Sequence, residues 1–274
     1  MGGRSSKSGA GGAGGGAVMG VAVAAPAPPT PAPPPTPAQR LDQLRQSINT
    51  YQDFANLSYD DKMDLMDEAL KTPVPAGKPN TAYQQLAEYL GFDTSPPTVV
   101  TDAQLDRMGG TVLYRTVCDV GSVTATNIVT DTLRKNDTPF YSDTGGSVHG
   151  RGLYFATDLN DSRIYGDPNS KTFRGKIKPT AKVITETALD NEYRKAKNGH
   201  NRLARTLNKL SWEDGISYMA AYKGYDVIDT QNYGGYHTVL NRNAVVYSST
   251  AKHFPHTYRT GNTTWGKGTS NITV

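Results

Sequence analysis

Two periodicities divide this chain. Between Leu41 and Ala55 apolar residues recur three or four positions apart, so Leu41, Leu44, Ile48, Tyr51 and Ala55 form one stripe and predict a helix. Ser58 with Asp61 predicts a capped second helix running to Leu70, stopped by Pro73 and Pro75. Residues 82–90 and 101–108 predict two more helices, each followed by a glycine. From Thr111 the spacing shortens to two. Strands are predicted over 111–115, 150–157, 172–178, 182–185, 225–228, 236–241 and 244–247. Between them lie helices over 122–135 (capped by Ser122), 161–165, 189–210 and 212–222. Strands mixed with segregated helices predict an α+β fold rather than regular βαβ alternation. No glycine-rich strand-to-helix turn of the dinucleotide or P-loop type is present.

Residues 1–39 stand apart, first rich in Gly and then in Ala and Pro, with almost no bulky apolar side chains. Such a segment cannot offset the entropy of ordering, which predicts a disordered tail whose proline half, 25–38, is a semi-rigid spacer. Arg4 and Lys7 ahead of the apolar stretch 17–25 faintly imitate a signal peptide, but the glycine tract before it and the prolines after it favour the tail. The expected organisation is therefore a tail over 1–39, a helical N-terminal segment over 40–109, a main domain over 110–250 and a C-terminal tail over 251–274. A spacer of this kind suits a domain tethered to something larger, or a plain unstructured end.

The 274 residues suffice for one sizeable domain with an accessory segment. A formal charge of +4, with Lys and Arg scattered and no interleaved basic and aromatic stripe, argues against a nucleic-acid partner. No apolar run approaches the ~20 residues of a membrane span, so no membrane partner is expected. The single Cys118 excludes an internal disulfide and a Cys-based zinc cluster. His149, His253 and His256 lack ligand spacing with acidic partners, so no metal is expected.

Three strand segments carry residues that a buried strand does not need. Arg115 ends an apolar strand on the same side as Leu113; on a cleft floor its guanidinium would hold phosphate or ribose oxygens, and at a sheet edge it would simply be solvated. Gly150, Arg151 and Gly152 precede Leu153, Tyr154, Phe155, Ala156 and Thr157. The glycines allow close approach to the backbone, and Tyr154 offers a ring for stacking and a hydroxyl for a hydrogen bond. The third segment, 236–242, holds His237, which is either a ligand-facing group or a satisfied core histidine.

Leu113-Tyr114-Arg115, the run from His149 to Ala156, and the downstream pair Ser162 and Tyr165 resemble ADP-ribosyltransferases. The second stretch resembles the poly(ADP-ribose) polymerase branch and the first the bacterial toxin branch. Residues 72–247 are similar to ADP-ribosyltransferase domains of tailed-phage and prophage structural proteins. The resemblance implies a split, mixed β-sandwich gripping NAD as substrate. Arg115 would hold phosphates or the nicotinamide ribose, and Tyr154 would stack on nicotinamide. The backbone at Gly150, Arg151 and Gly152 would bind the carboxamide, and Phe155, Thr157 and Tyr165 would complete the pocket. It also implies a protein acceptor, other virion proteins as partners, and a place in a phage particle or the host cytoplasm.

The family places a glutamate at the start of the third strand, where it binds the ribose and stabilises the cation formed as nicotinamide leaves. Here that position holds His237 or, with a one-residue slip, Tyr236. Neither supplies the negative charge. Glu186, Glu192, Asp226 and Asp229 are the carboxylates that could replace it, each read more readily as a solvated or turn-forming residue. The expectation is thus Arg115, Tyr154 and His237 as catalytic residues of a mono-ADP-ribosyltransferase or NAD glycohydrolase, or a degenerate fold kept as a structural or binding module.

Overall fold

Thr36 opens the first helix, α1 (Pro37–Ser47): its hydroxyl accepts from Gln39 N and the Gln39 side chain returns a bond to Thr36 N, with Pro37 in the first turn. Helix α1 thus takes in residues 37–39 of the stretch expected to be tail. The computed structural model describes residues 33–71, 85–86, 89–90, 96–134, 152–230, 235–254 and 263–273. Residues 1–32 of the expected tail, most of the helix expected over 82–90, Gly150, Arg151 and the glycine-rich stretch before them lie outside the described residues.

The one helix expected over 41–55 is two. Ile48 is extended and Thr50 recaps α2 (Tyr51–Ala55), so Tyr51 and Phe54 turn inward together. In α3 (Tyr59–Lys71) Ser58 Oγ accepts from Asp61 N, as the spacing predicts. The remaining elements run β1 (Thr98–Val100), α4 (Asp102–Arg107), β2 (Val112–Val117), α5 (Ala125–Arg134), β3 (Leu153–Ala156), α6 (Leu159–Arg163) and β4 (Lys171–Ile177). They continue as β5 (Val183–Thr185), α7 (Glu186–Lys197), α8 (Arg202–Leu207), α9 (Trp212–Lys223), β6 (Val227–Thr230), β7 (Tyr236–Val239), β8 (Val245–His253) and β9 (Thr269–Thr273).

The class is α+β: a mixed sheet of nine strands in the order β1-β8-β4-β2-β3-β7-β6-β5, with β9 added to β8. The pairs β1–β8 and β5–β6 are parallel and the others antiparallel. Three expectations change. The helix expected over 189–210 breaks after α7, and Asn201 caps α8. Helix α5 starts at Ala125, where Asp119 accepts from the Ala125 N–H at 2.6 Å, while Ser122 sits in the turn between Val120 and Val123. Beyond residue 250, β8 continues to His253 and β9 pairs with it, so residues 251–253 and 269–273 of the expected C-terminal tail belong to the sheet.

Two apolar clusters lie against the sheet. Helices α1 to α3 pack with α7 to α9, Ile184, Ile228 and Leu240. Leu113, Leu153, Phe155, Phe173, Val227, Val239 and Tyr247 pack with Ala125, Val129 and Leu133 of α5. Strand alternation makes the division, sending Val227 to one cluster and Ile228 to the other. The N-terminal helices are also tied in by Tyr51 Oη donating to Ala220 O at 3.1 Å and by Arg202 reaching Asp64 at 2.6 Å and Asp67 at 2.5 Å. They belong to one unit with the sheet, spanning Thr36–Val274.

Candidate functional site

The sheet is thinly joined at one place. β2 pairs with β4 from Val112 to Val117, and β3 pairs with β7 along its whole length, yet β2 and β3 register only at Tyr114 opposite Ala156. Arg115 bridges this junction: its Nη1 donates to the Tyr154 carbonyl oxygen at 2.8 Å. The guanidinium thereby fastens β3 to β2 beyond the point where backbone pairing stops. A charged donor to a carbonyl in this half-buried setting contributes about 1.5–3 kcal/mol.

Register fixes which side chains share a side. Tyr154 lies opposite Thr238, and Ala156 lies opposite both Tyr236 and Tyr114. Tyr114, Thr116, Tyr154, Tyr236 and Thr238 therefore project to one side. Over that side sits α6, whose cap Asp158 accepts from Asn160 N at 2.6 Å and Asp161 N at 3.3 Å. The helix directs Ser162 onto β2, its Oγ 2.9 Å from Thr116 Oγ1, which is 2.8 Å from Thr172 Oγ1. Tyr165, 63% exposed, follows, its ring 6.3 Å from that of Tyr236 and nearly perpendicular to it. Burial pushes the Tyr236 phenol well up, helped by its hydrogen bond with Tyr165 and the charge of Asp161. This side of the sheet thus carries three tyrosines and a half-buried hydroxyl chain from Ser162 through Thr116 to Thr172.

The opposite side is core. Phe155 lies opposite His237, and His237 opposite Asp229. Phe155 is 1% exposed and its ring is 5.8 Å from Phe173 and 6.3 Å from Tyr247, so the expected contact with a ligand is not available to it. His237 is buried, with Nε2 3.7 Å from Asp229 Oδ1. Burial lowers its pKa below the ordinary 6.5, against the opposing pull of Asp229 and the Gly235 backbone. His237 and Tyr154 thus lie on opposite sides of the β3–β7 ladder. The residue that shares the side of Tyr154 is Tyr236, the alternative left by the one-residue slip.

Two other expected positions serve the strands. A Cβ on Gly152 would lie 2.7 Å from Val239 O and 2.8 Å from Thr238 Cγ2, so this glycine lets β3 lie against β7. Thr157 N donates to Gly235 O at 2.9 Å, and Gly235, at φ +80°, leaves no room for a side chain beside the Thr157 hydroxyl. The weighed carboxylates are engaged elsewhere. Asp226 accepts from Lys182 N and Asn241 Nδ2, Glu192 pairs with Lys223, Asp229 neighbours His237, and Glu186 stands in the first turn of α7. Sequence reasoning missed Asp161, the carboxylate whose charge acts on Tyr236, and the Thr116 hydroxyl. Their only signal is register, which spacing along one strand does not contain. Among the described residues no group of three His, Cys, Asp or Glu could hold a metal, and no helix is long and apolar enough to cross a membrane. No family model, curated protein or solved structure matches the chain.

Proposed function

We propose that this chain is an ADP-ribosyltransferase-like domain on a split β-sandwich, binding NAD with the nicotinamide end on the Tyr154 and Tyr236 side. It transfers the ADP-ribosyl group to a protein acceptor or to water. The observation that carries this reading is that Tyr154 and Tyr236, with Tyr165 against Tyr236, share one side of the sheet with the Thr116–Ser162 hydroxyl pair, at the junction bridged by Arg115. Phenol rings stack on a flat heterocycle, and paired hydroxyls supply both donor and acceptor to a carboxamide. In the transfer step the glycosidic bond breaks with its electron pair leaving on nicotinamide. The acceptor nucleophile bonds to the ribose carbon and gives up its proton. Arg115 acts in this scheme by holding β3 in place, and Asp161 is the carboxylate on the Tyr236 side. The resemblance to domains of phage structural proteins supports a particle-associated role.

A second reading, NAD binding without cleavage, is favoured by the neutral Tyr236 phenol on this side, where the family has a glutamate. Without that charge the developing cation loses several kcal/mol of stabilisation. Purified chain incubated with NAD separates the readings by thermal shift and by chromatographic assay of released nicotinamide. The transferase reading predicts a shift and release, both lost in Tyr154→Ala. A shift without release supports the binding module, and neither signal overturns both.

A further inference from the structure

Residues 194–211 hold six cations, Arg194, Lys195, Lys197, Arg202, Arg205 and Lys209, together with His200, and not one Asp or Glu. Their charge exceeds the +4 of the whole chain. Along the sequence they look like ordinary helix-end charges; the fold sets them on a platform of two consecutive helices, α7 and α8, with the turn between them and the residues that follow α8. Asn198 ends α7, Asn201 opens α8 by accepting from Ala204 N, and Asn208 Nδ2 donates to Lys197 O at 3.1 Å, tying the end of α8 to the end of α7. Arg194 is paired with Asp190, Arg202 with Asp64 and Asp67, and Lys197 donates to Tyr193 Oη. Lys195, Arg205 and Lys209 are exposed and meet no carboxylate among the described residues.

We propose that this platform binds the phosphate backbone of a nucleic acid, independently of the NAD reading. Three exposed cations without a carboxylate partner, on two consecutive helices and their flank, supply the charge that phosphate contact requires. The exposed amides of Asn198, Asn201 and Asn208 add hydrogen-bonding groups suited to phosphate and sugar oxygens. The apolar residues Tyr193, Leu203 and Leu207 face inward, so the platform has no apolar centre for a protein partner and no side chain to insert into a membrane.

The test is fluorescence anisotropy of a labelled 20-base-pair DNA duplex with the full chain between 50 and 200 mM NaCl. Three or four phosphate contacts predict an affinity loss on the order of 100-fold over that range. Lys195→Glu/Arg205→Glu/Lys209→Glu is expected to weaken binding at least tenfold at 50 mM salt, with an unchanged far-UV circular dichroism spectrum. Arg107→Glu/Arg134→Glu/Lys267→Glu, with the same net charge change at exposed positions elsewhere, is expected to bind within about threefold of the parent. No binding at 50 mM salt overturns the proposal. So does equal loss in both variants, or binding to phosphatidylserine vesicles but not to duplex.

Discussion

On one side of the β3–β7 ladder Tyr154, Tyr236 and Thr238 look toward α6 and the exposed Tyr165 ring. On the other, Leu153, Phe155, His237 and Val239 look into a close-packed cluster with Phe173, Tyr247 and α5. The two sides are made from the same eight residues, taken alternately. The first is aromatic, hydroxylated and partly open. The second is closed, and its one titratable pair, His237 and Asp229, is turned away from the tyrosines. Neighbours in the chain therefore do unlike work: Tyr154 lies on the partly open side, where the proposed function puts the ligand, while Phe155 holds the sheet to its core.

The largest expected difference between the sides is in stability. Phe155→Ala should cost about 3–5 kcal/mol in urea unfolding, the loss usual for a fully buried phenylalanine. Tyr154→Ala should cost about 1 kcal/mol, because its side chain is only half-buried. Equal costs would break the two-sided description. Arg115→Ala comes next, at about 1.5–3 kcal/mol for the lost charged bond to Tyr154 O, and it should loosen β3 against β2 in hydrogen exchange. Arg115→Lys should recover only part of this. Gly152→Ala should cost about 1–3 kcal/mol, since its Cβ meets the β7 backbone rather than open space.

The smallest effect is one of pH. Burial holds the folded His237 pKa below 6.5, so between that value and the folded pKa the unfolded chain binds more protons than the folded one. The His237 contribution to stability is present above about pH 6.5 and is lost as the pH falls through the window beneath it. Wild type should therefore lose more unfolding free energy between pH 8 and pH 5.5 than His237→Gln. Identical pH profiles would mean that His237 is not buried in its neutral form.

Local patterns made much of the fold legible in the sequence. Ser58 and Asp61 capped the helix they were expected to cap, and the strands around Leu113, Leu153 and Val239 fall where alternation put them. What stayed hidden has two causes, local caps that compete with the apolar period and partners distant in sequence. Ile48 and Asn201 interrupt stripes that are continuous in the sequence, because capping at Thr50 and Asn201 wins over apolar period. Strand β9 exists only as an addition to β8. The candidate site is the same case. Tyr236 and His237 could not be ranked by spacing, since a one-residue slip exchanges their sides and only pairing with β3 sets the register.

If ligand contact belongs to the tyrosine side, NAD affinity measured by isothermal titration calorimetry depends on Tyr154 and not on His237. Wild type, Tyr154→Ala and His237→Gln would be titrated at pH 7.5. Wild type is expected to bind, with at least a tenfold loss in Tyr154→Ala, consistent with a lost stacking contact of about 1.4 kcal/mol or more, and at most a twofold change in His237→Gln. Loss confined to His237→Gln, or no NAD binding by wild type at millimolar concentration, would contradict it.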